Sequence, residues 1–595
     1  PTLTALAAIH LLAVAGARGM PQTCERYRAV PIVTSIRSGT SVLISGRHSI
    51  TTRVVSNDDG AVAGSRVVGE GSSQTTEAFL WLPRDLYGLS AGLHSLHPSG
   101  ADASVALGIN DVGSVVGGAL TDPGATAALS NALPCIWWRE SSSSTGHEFF
   151  DLSPYLPPHP QSSPASEPDP RTGLAWALSD GFEPIVVGTF SFCSDSEGGS
   201  LPFAIQWTGS SSDFGEELPS DWELPTMARP YAITGTGTAA VGFVQRTPQP
   251  GPCSTELGQP NCPTLLRTRD SYGWSMGSTP SGGLLPYPHQ PDGESDWLYF
   301  ENIARAIALD EEGRCLAVGV GQQAPPAFQD CVRNAWIWSL GSDDLPYLNL
   351  GTFLEEPNDA SGAESISIGA DGLIRVTGFR SPVPLVEEEE ESESAGGGPH
   401  AVIWEHPGGE DLETDWCAVD LATVTRACTI EGELPFAASV NDRGMVLVIA
   451  GTTLYKLAHL MDFDGNDRID GSDLAALLGH WGSVGSEACP FDLGPTPPEG
   501  EVKIDGYDLA VLIGNWSSGD DLLTIDPICC ESSEFLRTGV ESIGSAQDRL
   551  DSFLAALGFE TDEQFVQWSA GKSKAQLEAA VALALLVMSQ QQEGE

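Results

Sequence analysis

The chain has 595 residues, including 66 Gly, 42 Pro and 12 Cys, and its 80 acidic against 28 basic side chains give a formal net charge of -52. A surface this acidic repels nucleic acid and anionic membranes, which excludes DNA or RNA as a partner, and it attracts divalent cations and basic proteins. The length calls for several domains, and no apolar run reaches the roughly 18 residues of a membrane-spanning helix.

Residues 1–19 read as a signal peptide: Leu3 to Ala15 is almost wholly apolar and Ala15-Gly-Ala17 is a small-x-small cleavage site. The expected location is therefore secreted, extracellular or cell-surface. An oxidising compartment suits the cysteines, and close spacing suggests local pairs: Cys253 with Cys262, Cys315 with Cys331, Cys417 with Cys428.

Residues 25–457 repeat one pattern. Its clearest copy is Ala106-Leu-Gly-Ile-Asn110-Asp111-Val-Gly113-Ser-Val-Val116-Gly117, followed by Pro134-Cys-Ile-Trp137. Asn57 to Gly64 leads to Trp81, Asp180 to Gly188 leads to Trp207, and Gly235 to Gly242 leads to Leu265. Asp310 to Gly319 leads to Trp338, Asp371 to Gly378 leads to Trp404, and Asn441 to Val448 leads to Tyr455. Each copy reads as a short strand, a tight Asn/Asp-Asp-x-Gly turn, a second strand ending in Gly, and a third strand bearing an aromatic residue. One such meander cannot bury its own face, but copies set side by side can. Seven units at irregular spacing predict a mainly β fold, a β-propeller rather than a solenoid. The inserts at 154–170 and 387–398 read as solvated loops, the second strongly acidic.

This pattern resembles the HAF repeat of secreted bacterial proteins, with Ala78-Phe-Leu-Trp81, Ala335-Trp-Ile-Trp338 and Asn349-Leu-Gly-Thr352 as the matching residues. The resemblance implies an extracellular β-repeat region.

Residues 458–519 change character. Oxygen-bearing side chains fall at positions 1, 3, 5, 9 and 12 of a twelve-residue loop: Asp462, Asp464, Asn466, Asp470 and Asp473. Arg468 at position 7 offers its backbone carbonyl, and Ile469 supplies the apolar residue at position 8. That spacing is what Ca²⁺ takes from an EF-hand loop. Asp467 stands at position 6, where Gly is usual; Asp tolerates the left-handed conformation better than most residues. Asp473-Leu-Ala-Ala-Leu-Leu-Gly-His-Trp481 recurs as Asp508-Leu-Ala-Val-Leu-Ile-Gly-Asn-Trp516, with the period-3.6 pattern of a short helix after each loop. The second loop is longer, with Asp492, Glu499, Glu501, Asp505 and Asp508 as weaker ligands.

Two loop-helix units in tandem resemble a type I dockerin. The resemblance implies Ca²⁺ as cofactor, a cohesin-like or cell-surface protein as partner, and docking through helix residues, here Leu474, Leu477, Leu478, Leu509, Leu512 and Ile513. Cys489 is expected to pair with Cys529 or Cys530. Residues 531–595 read as a separate helical segment with capping boxes at Thr561 and Ser573.

No catalytic signature stands out. Gly235-Thr-Gly237-Thr-Ala-Ala240 is a repeat turn, not a dinucleotide fingerprint, because no helix pattern follows it. No Gly-x-Ser-x-Gly or His-Glu-x-x-His occurs. The leading expectation is a secreted calcium-binding protein tethered by its dockerin-like module. The alternative is a secreted polysaccharide hydrolase with its site in the propeller mouth, acting on a glycan.

Overall fold

The computed structural model describes residues 26–36, 53–155, 172–245, 269–516 and parts of 552–584, less shorter loop stretches such as 121–131, 192–201, 286–297, 382–398 and 494–502. The signal peptide, residues 156–170 of the first insert, the whole second insert, Cys253, Cys262, Cys331, Cys529, Cys530 and Ser573 lie outside these residues.

The chain is a seven-bladed β-propeller. Blade 1 is Val55–Ser56, Val62–Val68, Thr75–Leu82 and Gly92–Ser95; blade 2 is Ala103–Ile109, Val115–Leu120, Leu133–Trp138 and Glu148–Asp151. Blade 3 is Thr172–Leu178, Ile185–Ser191, Pro202–Thr208 and Glu216–Glu217; blade 4 is Met227–Ile233, Ala239–Gln245, Arg269–Ser275 and Ser281–Leu284. Blade 5 is Leu298–Leu309, Cys315–Ala324, Val332–Leu340 and Tyr347–Asn349; blade 6 is Ala360–Ile368, Ile374–Ser381, His400–His406 and Cys417–Asp420. Blade 7 is Phe436–Val440, Val446–Ala450 and Thr453–His459, and its outermost strand is the N-terminal Tyr27–Val33, which closes the ring. A single parallel bridge, Arg269 to Glu301, links blades 4 and 5.

The seven repeat copies coincide with the seven blades. Two features differ from expectation. Each blade has a fourth strand, which the three-strand pattern omitted. The third strand of blade 4 is Arg269–Ser275 with Trp274, not the segment at Leu265, which lies outside the described residues.

The core sits between blades. Val62, Phe79, Leu447 and Leu454 pack blade 7 on blade 1; Ala175, Ile205 and Trp207 pack on Val116 and Ile136 of blade 2. Trp207, Trp274 and Trp404 are fully buried. Each ring removes roughly 150–250 Å² from water, so the repeated aromatic supplies much of each interface.

A β-bulge on the innermost strand explains the repeated Gly of the second strand. In blade 2 the register shifts between Ala106 and Gly108. A Cβ on Gly117 would meet the Val105 carbonyl oxygen at 1.9 Å, so only Gly fits. Gly188, Gly242, Gly319 and Gly378 make the same approach to the carbonyls of Leu174, Arg229, Ile303 and Gly362.

After blade 7 the chain enters the first loop and helix α1 (Gly471–Gly479), then the second loop and α2 (Gly506–Gly514). A further short helical stretch spans 552–557, and α3 follows (Asp562–Ser569). Phe553, Leu554, Phe565 and Leu577 share one core with Leu474, Leu477, Leu509, Leu512 and Ile513. The described part of the 531–595 segment is therefore packed into the module. Among the described residues no helix is long and apolar enough to cross a membrane.

Candidate metal centre and axial channel

The first loop gathers its carboxylates. Ligand oxygens of Asp462, Asp464 and Asp473 all lie within 4.8 Å of one another, the only such group among the described residues. Asn466 Oδ1 is buried and has no hydrogen-bond partner, although its amide donates to Asp464. Asp473 accepts from Phe463 N at 2.6 Å and from Asp470 N at 2.8 Å, which ties position 12 to positions 2 and 9. Asp470 caps α1 by accepting from Ser472 N at 2.7 Å, and Arg468 precedes it on the same turn. Burial, reinforced by the adjoining carboxylates, pushes Asp473 up to about 7 and Asp462 well above the ordinary range, despite Lys456 nearby. Hard oxygens converging around a buried orphan acceptor suit a hard divalent cation.

The second loop repeats this frame. Leu493 N donates to Asp508 Oδ1 at 2.6 Å and Asp505 N to Asp508 Oδ2 at 2.7 Å, which matches Asp492 to position 1 and Asp508 to position 12. Burial, with Asp492 beside it, raises Asp508 to about 7. Glu499 and Glu501 lie outside the described residues.

The expected docking residues do not form a docking face. Leu474, Leu477, Leu509, Leu512 and Ile513 are buried in the module core, and Leu478 is half-buried against it. Their helical periodicity reports core packing, because the helices behind them cover that face.

The loop is fastened to the propeller. Lys456, fully buried on the third strand of blade 7, donates to Gly465 O at 2.6 Å and lies 2.6 Å from Asp467 Oδ1. Asp467 adopts φ 65°, the left-handed turn that position 6 requires. The Arg28 guanidinium sits 4.5 Å above the Phe463 ring. Cys428 and Cys489 form a disulfide between the segment after blade 6 and the module. This corrects two expected pairings, Cys417 with Cys428 and Cys489 with Cys529 or Cys530. Cys417 is disulfide-bonded too, whereas Cys315 is free, which excludes its pairing with Cys331. Sequence proximity misled at Cys428, whose partner lies 61 residues away in a separate unit.

Sequence reading places an alternative site in the propeller mouth but assigns no residue of the axial channel to it. A cavity of about 490 Å³ lies where the inner strands converge, with Arg53, Asp58, Asp111, Asp180 and Asp442 among its lining. The turn asparagines have two roles. Asn57 Oδ1 accepts from Ala61 N within its own turn, while its Nδ2 donates to Asn110 O of the next blade at 2.8 Å. Asn441 reaches Asn57 O at 2.8 Å and Asn110 reaches Ser179 O at 3.0 Å in the same way. Beside them runs an arc of carboxylates across four blades. Asp442 N donates to Asp58, Asp58 N to Asp111, and Asp111 N to Asp180, at 3.1, 3.2 and 3.2 Å. These carboxylates are partly buried and crowd one another. Desolvation first, then these neighbours, push Asp442 up to about 7 and Asp111 to about 6. The signal was present in the sequence as an Asp after the turn Asn in three copies, at Asp58, Asp111 and Asp442.

No protein-family model matches the chain, and no curated protein does. Among solved structures it is similar to one described as a new family of polysaccharide lyase, PL25 ulvan lyase, with 9% identity, a TM-score of 0.35, and coverage of 74% of this chain and 96% of that one. The same lyase bound to a GlcA–Rha3S unit gives 10% identity and a TM-score of 0.33 over 74% and 96% of the two chains. Bacteroides ovatus xyloglucan PUL GH43B gives 10% identity and a TM-score of 0.20 over 73% and 91%. Likenesses this low carry no functional argument.

Proposed function

We propose that the first loop of the module holds Ca²⁺ through Asp462, Asp464, Asn466 and Asp473. On this reading the bound ion is a structural clamp that fixes the module against the seam of the propeller, in a secreted protein whose ring presents the axial cavity to a ligand. One observation carries the reading: Asn466 Oδ1 is buried without a donor beside three gathered carboxylates. A neutral acceptor left unsatisfied among anions is costly unless a cation sits there. The dockerin-like resemblance supports the ion, but the burial of its helix leucines favours a clamp over a cohesin-binding tether. Calcium titration of the full chain by calorimetry tests this. One site is expected from the first loop, abolished by Asp473→Asn. Absence of binding at millimolar calcium overturns it.

A second reading, a polysaccharide-directed hydrolase, draws support from two carboxylates in one cavity, Asp111 and Asp442, raised to about 6 and about 7. A carboxyl poised near neutrality is what a general acid needs. Release of reducing ends from a panel of glycans, lost in Asp442→Asn, is the expected result; no turnover on any glycan removes this reading.

A further inference from the structure

A cation held by main-chain carbonyls borders the axial cavity. Arg53 enters the channel just before the first strand of blade 1. Its Nη1 donates to Tyr231 O at 2.6 Å and its Nη2 to Arg305 O at 3.3 Å. Both carbonyls belong to bulges, where the inner strands of blades 4 and 5 shift register between Pro230 and Ala232 and between Ala304 and Ala306. The bulges thus turn backbone acceptors toward the axis, and the guanidinium is fixed there by main chain. Neither bond neutralises its charge.

Arg305 is the neighbouring cation. Its guanidinium lies 5.1 Å from the Tyr231 ring centre and 3.9 Å from Glu364. Glu364 lies near both guanidiniums, so two cations stand close together inside a chain of net charge -52. Burial, with Arg305 nearby, holds the Arg53 guanidinium down at about 10, still charged at neutral pH. Arg53 also borders both the 490 Å³ cavity and a smaller one of 40 Å³ that Trp176, Tyr231, Arg305 and Glu364 line.

We propose that Arg53, backed by Arg305, is a binding site for the carboxylate group of a small ligand seated in the axial cavity. A guanidinium fork held rigidly by two carbonyls presents its remaining donors as a pair, the arrangement that a planar carboxylate matches. The cavity is of the size that small-molecule sites occupy. Its lining also carries Asp58, Asp111, Asp180 and Asp442, which accept hydroxyls and repel a second negative charge. The ligand class is thus a monocarboxylate with a neutral, hydroxyl-bearing body, for which an acidic sugar is the natural probe. This proposal is independent of calcium in the first loop.

The test is calorimetric titration of the full chain, in calcium-containing buffer, with glucuronate, glucose and sulfate. Glucuronate is expected to bind, and glucose to bind at least about tenfold more weakly because the charged donors then lack an acceptor. Arg53→Gln is expected to weaken glucuronate by about tenfold or more, while Glu364→Gln, which frees Arg305 from its carboxylate, tightens it several-fold. Should Arg53→Gln fail to fold, the Glu364→Gln titration decides alone. No glucuronate binding at about 10 mM overturns the proposal. So does equal binding of glucose, sulfate binding as tightly as glucuronate, or an affinity unmoved by Glu364→Gln.

Discussion

Lys456 Nζ lies 2.6 Å from the Asp467 carboxylate and 2.6 Å from the Gly465 carbonyl, with no part of the lysine exposed. The residue that departs from the EF-hand pattern is the one that anchors the loop to the propeller. A Gly at position 6 would relieve the left-handed turn but leave a buried ammonium without its counter-charge. Lys456→Met is predicted to destabilise the chain by about 3–5 kcal/mol, since it strips a buried carboxylate of its partner. Asp467→Gly is predicted to cost a similar amount. The double variant should recover much of the loss, because neither charge is then stranded. Denaturant unfolding of the four proteins measures the cycle, and strict additivity would refute the coupling.

Gly117 tests the reason for the repeat glycine. A Cβ there would meet the Val105 carbonyl, and no flexible side chain is available to give way. Gly117→Ala is predicted to destabilise by about 2 kcal/mol or more through backbone strain in blade 2. Gly100→Ala places its Cβ in open space at φ 85°, so it should show only the smaller penalty of a left-handed alanine. The difference between the two melting temperatures is the readout.

The arc of aspartates predicts a pH dependence. Asp442 and Asp111 are raised to about 7 and about 6, above their unfolded values. Between about pH 4 and pH 7 the native state therefore binds more protons than the unfolded one, so this contribution falls as pH rises through that window. Asp442→Asn keeps an oxygen to accept from Ile368 N and removes one of the charges. It is predicted to raise stability at pH 8 by less than about 1 kcal/mol, since water at the mouth screens the arc. At pH 4 it should change little. Thermal melts across pH follow this directly.

Much of the fold was legible in the sequence because the repeated residues answer to backbone demands. The turn Asn caps itself and clasps the next blade, and the strand Gly makes room for a bulged carbonyl. Neither role is open to many other side chains. The fourth strands were not legible: Glu216–Glu217 is only two residues long, and Tyr27–Val33 pairs with a strand more than four hundred residues away. The helix leucines were found but misread. Periodicity gives an apolar face without saying what covers it, and here Phe553, Phe565 and Leu577 do. Arg53 carried no local signal, since its partners are main-chain oxygens on blades 4 and 5.

On the proposed reading, calcium in the first loop clamps the module to the ring. The most direct test is thermal unfolding of the full chain in chelator and in about 1 mM Ca²⁺, for the native sequence and for Asp462→Asn. An ion bound only by the folded state raises the melting temperature by mass action, here by a few degrees or more. The native sequence should show that rise and Asp462→Asn should lose it. An unchanged melting temperature, or an equal rise in both proteins, would contradict the clamp.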